Sequence, residues 1–193
     1  MANQPMKFYL LEDDIYFPNR WHLGEIEPIE NWPLTMGTTP ALPAPLPRLK
    51  VEVYQDGAEM DYTTTGGYGI PIVSSRLKNA LGTPPGIRYL PVEIAGHADK
   101  GPHFAMVIQA LVDCIDESRS EFEQFTPTDP VRPDKAGDYK AFFHLALDTE
   151  KAHAAGSSVF RLAKYDIAIV VNEVAMQALT SPGLTGIHLV ELQ

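Results

Sequence analysis

Two stretches of 23 residues set the tightest limit on the fold. Ile72 to Ile94, "IVSSRLKNALGTPPGIRYLPVEI", and Val170 to Leu192, "VVNEVAMQALTSPGLTGIHLVEL", align without a gap at an offset of 178 − 80 = 98 residues. Ala80-Leu81 falls on Ala178-Leu179, Pro84 on Pro182, and Val92-Glu93 on Val190-Glu191. In the first stretch Ile72-Val73 ends a strand. Ser74 or Ser75 then caps a helix by accepting from the free amides of its first turn, and Leu77, Ala80 and Leu81 form an i, i+3, i+4 apolar stripe. Gly82, Pro84 and Pro85 stop the helix. In the second, Asn172 takes the cap, Ala175, Ala178 and Leu179 form the stripe, and Pro182-Gly183 break it.

Each stretch thus reads strand, helix, strand, with only about eight helical residues. The equivalence predicts that Leu81 and Leu179 face the core from matching positions. Links of this size are mostly too short for right-handed crossovers, so the pattern predicts a mixed or largely antiparallel sheet with a few short helices, class α+β. The recurrence has two explanations. It is a common local grammar met twice, with six identities in 23 positions, or it marks two strand-helix-strand units related by an internal repeat and packed as a pseudo-symmetric pair.

The flanking chain fills in the rest. "KFYLL" and "WHLGEI" read as strands, Leu49, Val51 and Val53 alternate as in a half-buried strand, and "HFAMVIQALVDCI", "FFHLALD" and "SVFRL" are further strands. "TGGYGIP" has no Lys-Ser or Lys-Thr pair to bind phosphate and reads as a hairpin loop. Residues 1–50 hold eight of the 17 prolines, including "PALPAPLP" from Pro40 to Pro47, where few residues can join a ladder. The expectation is one domain, residues 1–193, in which a proline-rich segment 1–50 wraps over an α+β core formed by residues 51–193.

Composition narrows the function classes. A chain of 193 residues with 45% hydrophobic content can bury a real core. A net charge of −10 and a pI near 4.9 argue against nucleic acid or an anionic membrane as partner and favour a basic one. Cys114 is the single cysteine, so there is no disulfide framework and no cysteine-rich zinc site. "MANQPMKFYLLEDD" lacks the basic start and long apolar run of a signal peptide, and no apolar run approaches the roughly 18 residues of a membrane span. A soluble, cytoplasmic protein is expected.

Motifs that carry chemistry are scarce, and none implies a cofactor. The six histidines fit no metal-ligand spacing. His97 and Asp99 in "GHADKGPH", with His103 close by, offer an acid and base pair for a small hydrolase or metal-dependent enzyme, but the glycines and proline favour a plain turn. Cys114 lies among apolar and acidic neighbours that raise a thiol pKa, which makes it a buried thiol rather than a nucleophile. "AAGSSVF" lacks the second glycine of a nucleophile elbow. The conspicuous feature is acidic: Asp113, Asp116, Glu117, Glu121, Glu123 and Asp129 have only Arg119 against them. They form a solvated edge or a docking surface for a basic protein, with Asp116, Glu117, Glu121 and Glu123 as the candidate partner-binding residues.

Taken in order, "PIVSSRLKNAL", "YLPVEI", "DCIDESRS", "VFRL", "IAIVVNEVAMQAL" and "GLTGIHL" resemble a family of bacterial immunity proteins first recognised in myxobacterial polymorphic toxin systems. The resemblance covers most of residues 70–192. Asn172 departs from it, standing where a serine like Ser74 is expected, and the proline-rich first 50 residues match poorly. What the resemblance implies is a non-catalytic protein that binds and neutralises a cognate toxin, and it brings no catalytic residues to carry over. A basic nuclease as toxin agrees with the acidic balance of the chain.

Overall fold

The computed structural model describes residues 6–38 and 47–192, so the "PALPAPLP" run up to residue 46 lies outside the described residues. In chain order the first half forms β1 (Phe8–Asp13), β2 (His22–Glu27), α1 (Trp32–Thr35), β3 (Leu49–Gln55), β4 (Tyr62–Thr64), β5 (Pro71–Ser74), α2 (Ser75–Leu81) and β6 (Ile87–Ile94). The second half forms β7 (His103–Ile108), β8 (Leu111–Val112), β9 (Glu121–Gln124), β10 (Tyr139–His144), α3 (Thr149–Ala154), β11 (Val159–Leu162), β12 (Tyr165–Asn172), α4 (Glu173–Leu179) and β13 (Ile187–Leu192). The class is α+β with mixed sheets, as the pattern predicts.

Six strands run in the order β2-β3-β6-β7-β5-β4, with β3 and β6 parallel and the other neighbours antiparallel. A bridge from Leu23 of β2 to Thr65, just past β4, brings the two edges together, and the Gly66 amide donates to the Leu23 carbonyl at 2.9 Å. The sheet therefore curls into a barrel-like wall and hides edges that would otherwise invite pairing. Period-two alternation turns Leu49 and Val51, Leu90 and Val92, and Ala105 and Val107 inward, where they pack with Trp21, Leu23, Ile26 and Leu34.

A second sheet runs β13-β1-β12-β11-β8, antiparallel except for β8 beside β11. One of its faces meets the outside of the barrel wall: Leu11, Val159, Ile169 and Val171 pack with Tyr62, Val73, Met106 and Ile108, and Leu77 of α2 with Ala175 and Leu179 of α4 joins the same cluster. The other face carries Phe8, Phe160, Leu162 and Val170 against Cys114, Tyr139, Leu147 and Ala152, beside the two-stranded β9-β10 hairpin. The apolar run from Ala168 to Val171 of β12 follows from this burial on both faces.

The caps are as expected. Ser74 Oγ accepts from the Leu77 amide at 3.2 Å and Asn172 Oδ1 from the Ala175 amide at 3.1 Å. In each stretch the flanking strands are parallel, with one antiparallel strand between them: β7 between β5 and β6, β1 between β12 and β13. The links, residues 75–86 and 173–186, thus do cross over, because about a dozen residues is enough. This shared order leaves the origin of the recurrence where the sequence left it. The stripes are not equivalent: Leu77, Ala175 and Leu179 are buried, Leu81 is half-buried and Ala80 is exposed.

Other expectations shift. Where a wrap was expected from the first fifty residues, β1 enters the five-stranded sheet between β13 and β12, and β2 completes the barrel wall. "HFAMVIQALVDCI" is two strands in different sheets, because the chain leaves the barrel after Ile108 and the Ala110 carbonyl accepts from the Arg161 amide at 2.8 Å. The acidic stretch contains the strand β9, and "FFHLALD" stops pairing as a strand at His144.

Asp61 ties these parts together. It is 4% exposed, and its carboxylate accepts from Ser74 Oγ at 2.5 Å, Arg76 Nε at 3.0 Å, the Thr185 amide at 3.0 Å and Thr185 Oγ1 at 3.1 Å. Burial pushes its pKa up, but Arg76, Ser74 and Thr185 more than offset this and hold it below the ordinary aspartate value. In urea denaturation, Leu179→Ala is expected to cost about 2 to 5 kcal/mol as a buried leucine truncation, and the half-buried Leu81→Ala less than half as much as Leu179→Ala. Asn172→Ala is expected to cost about 0.5 to 2 kcal/mol, with Asn172→Asp tolerated.

Candidate partner-binding surface

Three of the four acidic candidates have work within the fold. Asp116 Oδ1 accepts from the Ser118 hydroxyl at 2.6 Å, and its Oδ2 accepts from Arg119 Nε at 2.7 Å. The Ser118 bond first, and Arg119 with it, lowers its pKa to about 2. Arg119 in turn donates to the Leu147 carbonyl at 2.5 Å, so Asp116 orients a link between two segments. Glu117 accepts from the Tyr139 hydroxyl at 2.6 Å. Glu123 faces Lys140 Nζ at 3.4 Å. Glu121 is exposed on β9, opposite His144 of β10. All four gather around the β9-β10 hairpin and the turn that leads into it.

The His97, Asp99 and His103 region is built around a tryptophan. The rings of His97 and His103 meet Trp21 edge-on, at 5.9 and 5.4 Å between centroids, and the Trp21 indole donates to Thr63 Oγ1 at 3.2 Å. Their carboxylate neighbours are Asp56 and Glu59, not Asp99. His103 is 2% exposed, and its Nδ1 lies 2.8 Å from the Gly101 carbonyl, which fixes Nδ1 as the protonated nitrogen of the neutral ring. Glu59 Oε1 lies 3.2 Å from Nε2 but off the line of a hydrogen bond, so Nε2 is unpartnered. Burial holds the His103 pKa below its ordinary value, against the pull of Glu59. Cys114 is fully buried, and burial with the Asp113 charge pushes its thiol up to about 12. Among the described residues no group of three or more His, Cys, Asp or Glu is arranged to hold a metal ion, and no helix is long and apolar enough to cross a membrane.

Two adjoining grooves on the β1-β12-β13 side have no counterpart among the sequence motifs. The first, of about 500 Å³, is lined by Leu10, Phe142, Phe143, Tyr165, Ile167 and Val190 among others, and β10 forms one of its walls. The second, of about 510 Å³, is lined by Glu12, Asp13, Ile15, Tyr16, Tyr62 and Ile167 among others. They share Leu11, Glu12, Ile167 and Ile169. Five of the eleven large apolar side chains exposed among the described residues line these grooves: Ile15, Tyr16, Phe143, Ile167 and Val190. Single exposed apolar residues are ordinary, whereas a cluster of them forms a patch of the kind that suits contact with another molecule. Because β9 pairs with β10, acidic strand, apolar groove and second groove follow one another across one side of the molecule.

A family model for the Imm11 immunity proteins matches residues 3–193, and the chain belongs to this immunity protein family. The match takes in the described part of the first fifty residues, whose strands β1 and β2 are integral to the two sheets. No curated protein matches the chain.

His103 gives this region a pH dependence. Its folded pKa is depressed, so its contribution to stability is fully present above the unfolded value of about 6.5. As pH falls below that value the unfolded chain takes up a proton that the folded ring resists, and stability drops. The urea midpoint is therefore expected to fall between pH 7.5 and 5.5, and to fall less in His103→Asn, which keeps a donor near the Nδ1 position.

Proposed function

We propose that this protein neutralises a cognate bacterial toxin in the cytoplasm by binding it, with no catalysis of its own, and that the toxin is basic. Membership of an immunity protein family supports the toxin partner, and the paired apolar grooves beside an acidic strand are the observation that carries the binding mode. Apolar and aromatic side chains at the centre of an interface supply most of the binding energy, and charges around it mainly raise the rate of encounter. The net charge of −10 then draws in a basic partner over a distance that salt shortens, with a Debye length of about 10 Å at 0.1 M.

The acidic residues divide by their local work. Asp116 and Glu117 hold a turn and Tyr139, so reversing their charge disturbs the fold as well as the field. Glu121 and Glu123 on β9 are exposed and suit the test. In stopped-flow binding to the toxin encoded beside this gene, Glu121→Lys with Glu123→Lys is expected to slow association about three- to tenfold at low salt, with the difference fading at high salt. Phe143→Ala with Ile167→Ala is expected to speed dissociation at least about tenfold and to leave association nearly unchanged. Tight binding that survives the groove variants would place the contact on another face, and turnover of the toxin or of any small molecule by the purified protein would end the non-catalytic reading.

A further inference from the structure

Among the described residues the sheet edges are blocked, with one exception. A strand edge is a row of unpaired N–H and C=O groups that invites another chain. The barrel wall brings its edges together through the bridge from Leu23 to Thr65. β8 has only two residues, and the β9-β10 hairpin is broken by two register shifts and carries the exposed Glu121 and Glu123 on β9. β13 has none of these devices. Its six residues pair with β1 without a shift, it holds no proline, and among the described strands β1 is its only neighbour.

The register shows which groups are free. The Asp14 amide donates to the Gly186 carbonyl at 3.0 Å, and this pair continues the β1-β13 ladder, in which Phe8 faces Leu192 and Asp13 faces Ile187. In an antiparallel ladder bonded and non-bonded pairs alternate. Glu12 with His188, Leu10 with Val190 and Phe8 with Leu192 are therefore the bonded pairs, and Ile187, Leu189 and Glu191 turn their N–H and C=O groups away from β1. No other described residue bonds to these outward groups. Val190 and Leu192 share one face of β13 and line the first groove, so every second side chain of an added strand would continue its apolar wall. A net charge of −10 sets a second copy of the chain against the first and favours a basic protein. We infer that β13 receives an extended strand of the toxin, which pairs with Ile187, Leu189 and Glu191 and lengthens the five-stranded sheet by one strand. The inference rests on the toxin-binding reading and names how the two chains meet.

Two measurements on the full-length protein separate this contact from the function. The first is amide hydrogen exchange by NMR, with and without the toxin encoded beside this gene. In the free protein the Leu189 and Glu191 amides are expected to exchange fast, and the Val190 amide, bonded to Leu10, slowly. Toxin binding is expected to slow Leu189 and Glu191 at least about tenfold. A bound toxin that leaves both amides fast would overturn the strand pairing and leave the toxin-binding function standing. Slow exchange at both in the free protein, dependent on its concentration, would give the edge to a second copy and overturn the assignment to the toxin. The second measurement compares Glu191→Pro with Glu191→Thr. Both lose the surface pair with Lys7, but only proline removes the outward N–H, and it removes no bond to β1. The proline variant is expected to melt close to the threonine variant and to bind the toxin at least about tenfold more weakly. Equal affinities would overturn the contact. A wild-type protein that ignores the toxin would overturn the reading on which the inference rests.

Discussion

The Asp61 carboxylate is the point on which the two sheets depend. It precedes β4, reaches the cap and first turn of α2 through Ser74 and Arg76, and accepts from Thr185 in the link between α4 and β13. Segments 124 residues apart in sequence thus share one buried charge. Removing the charge would strand its donors, and breaking a buried ionic group in this way costs far more than a surface pair contributes. Next to Thr185, Gly186 has φ of +83°, and a side chain there would run into the Tyr62 carbonyl, so only glycine lets this link lie so close to β4. The Tyr62 amide donates to the Thr185 carbonyl at 3.1 Å and the Asp14 amide to the Gly186 carbonyl at 3.0 Å, which locks the ends of β1, β4 and β13 into one corner. The second groove opens at that corner, so the same tie that joins the sheets also shapes the surface.

Charge does two kinds of work in this molecule. Close to the hairpin, Asp116, Glu117 and Glu123 spend their carboxylates on Arg119, Tyr139 and Lys140, and what a distant partner feels there is a smaller net field than the sequence suggests. At the corner of β1, Asp13 is half used, and Glu12 is exposed. The acidic stretch therefore suits long-range attraction, which depends on the summed charge, and the corner suits short-range selection, which depends on geometry.

What the sequence revealed was the local part of this design. The caps at Ser74 and Asn172 were legible because each bond spans three residues, and the strands of the barrel were legible because period-two alternation survives wherever one face is buried. The place of β1 between β13 and β12 was not legible, since partners some 160 to 180 residues away leave no local trace. Strand β9 was hidden because "EFEQ" buries only part of Phe122 and looks like loop. The grooves were hidden for another reason: residues 10–16, 62–69, 142–145, 165–169 and 188–192 meet there, and no window of sequence holds more than a fragment. One hint existed. In "YDIAIVVN" every apolar residue from Ile167 onward reads as core, yet Ile167 stands 65% exposed while Ala168 and Ile169 are buried.

That exposed isoleucine and the unpartnered Tyr62 hydroxyl belong to one physical trade. A fold selected only for stability would bury Ile167 and place phenylalanine at position 62, since a hydroxyl sealed from water without a partner costs about 1 to 3 kcal/mol. A protein that covered this corner would take the apolar rim of Ile15, Tyr16 and Ile167 out of water. Exposed apolar side chains that look like flaws in the isolated chain thus sit beside the corner that Asp61 and Gly186 tie together.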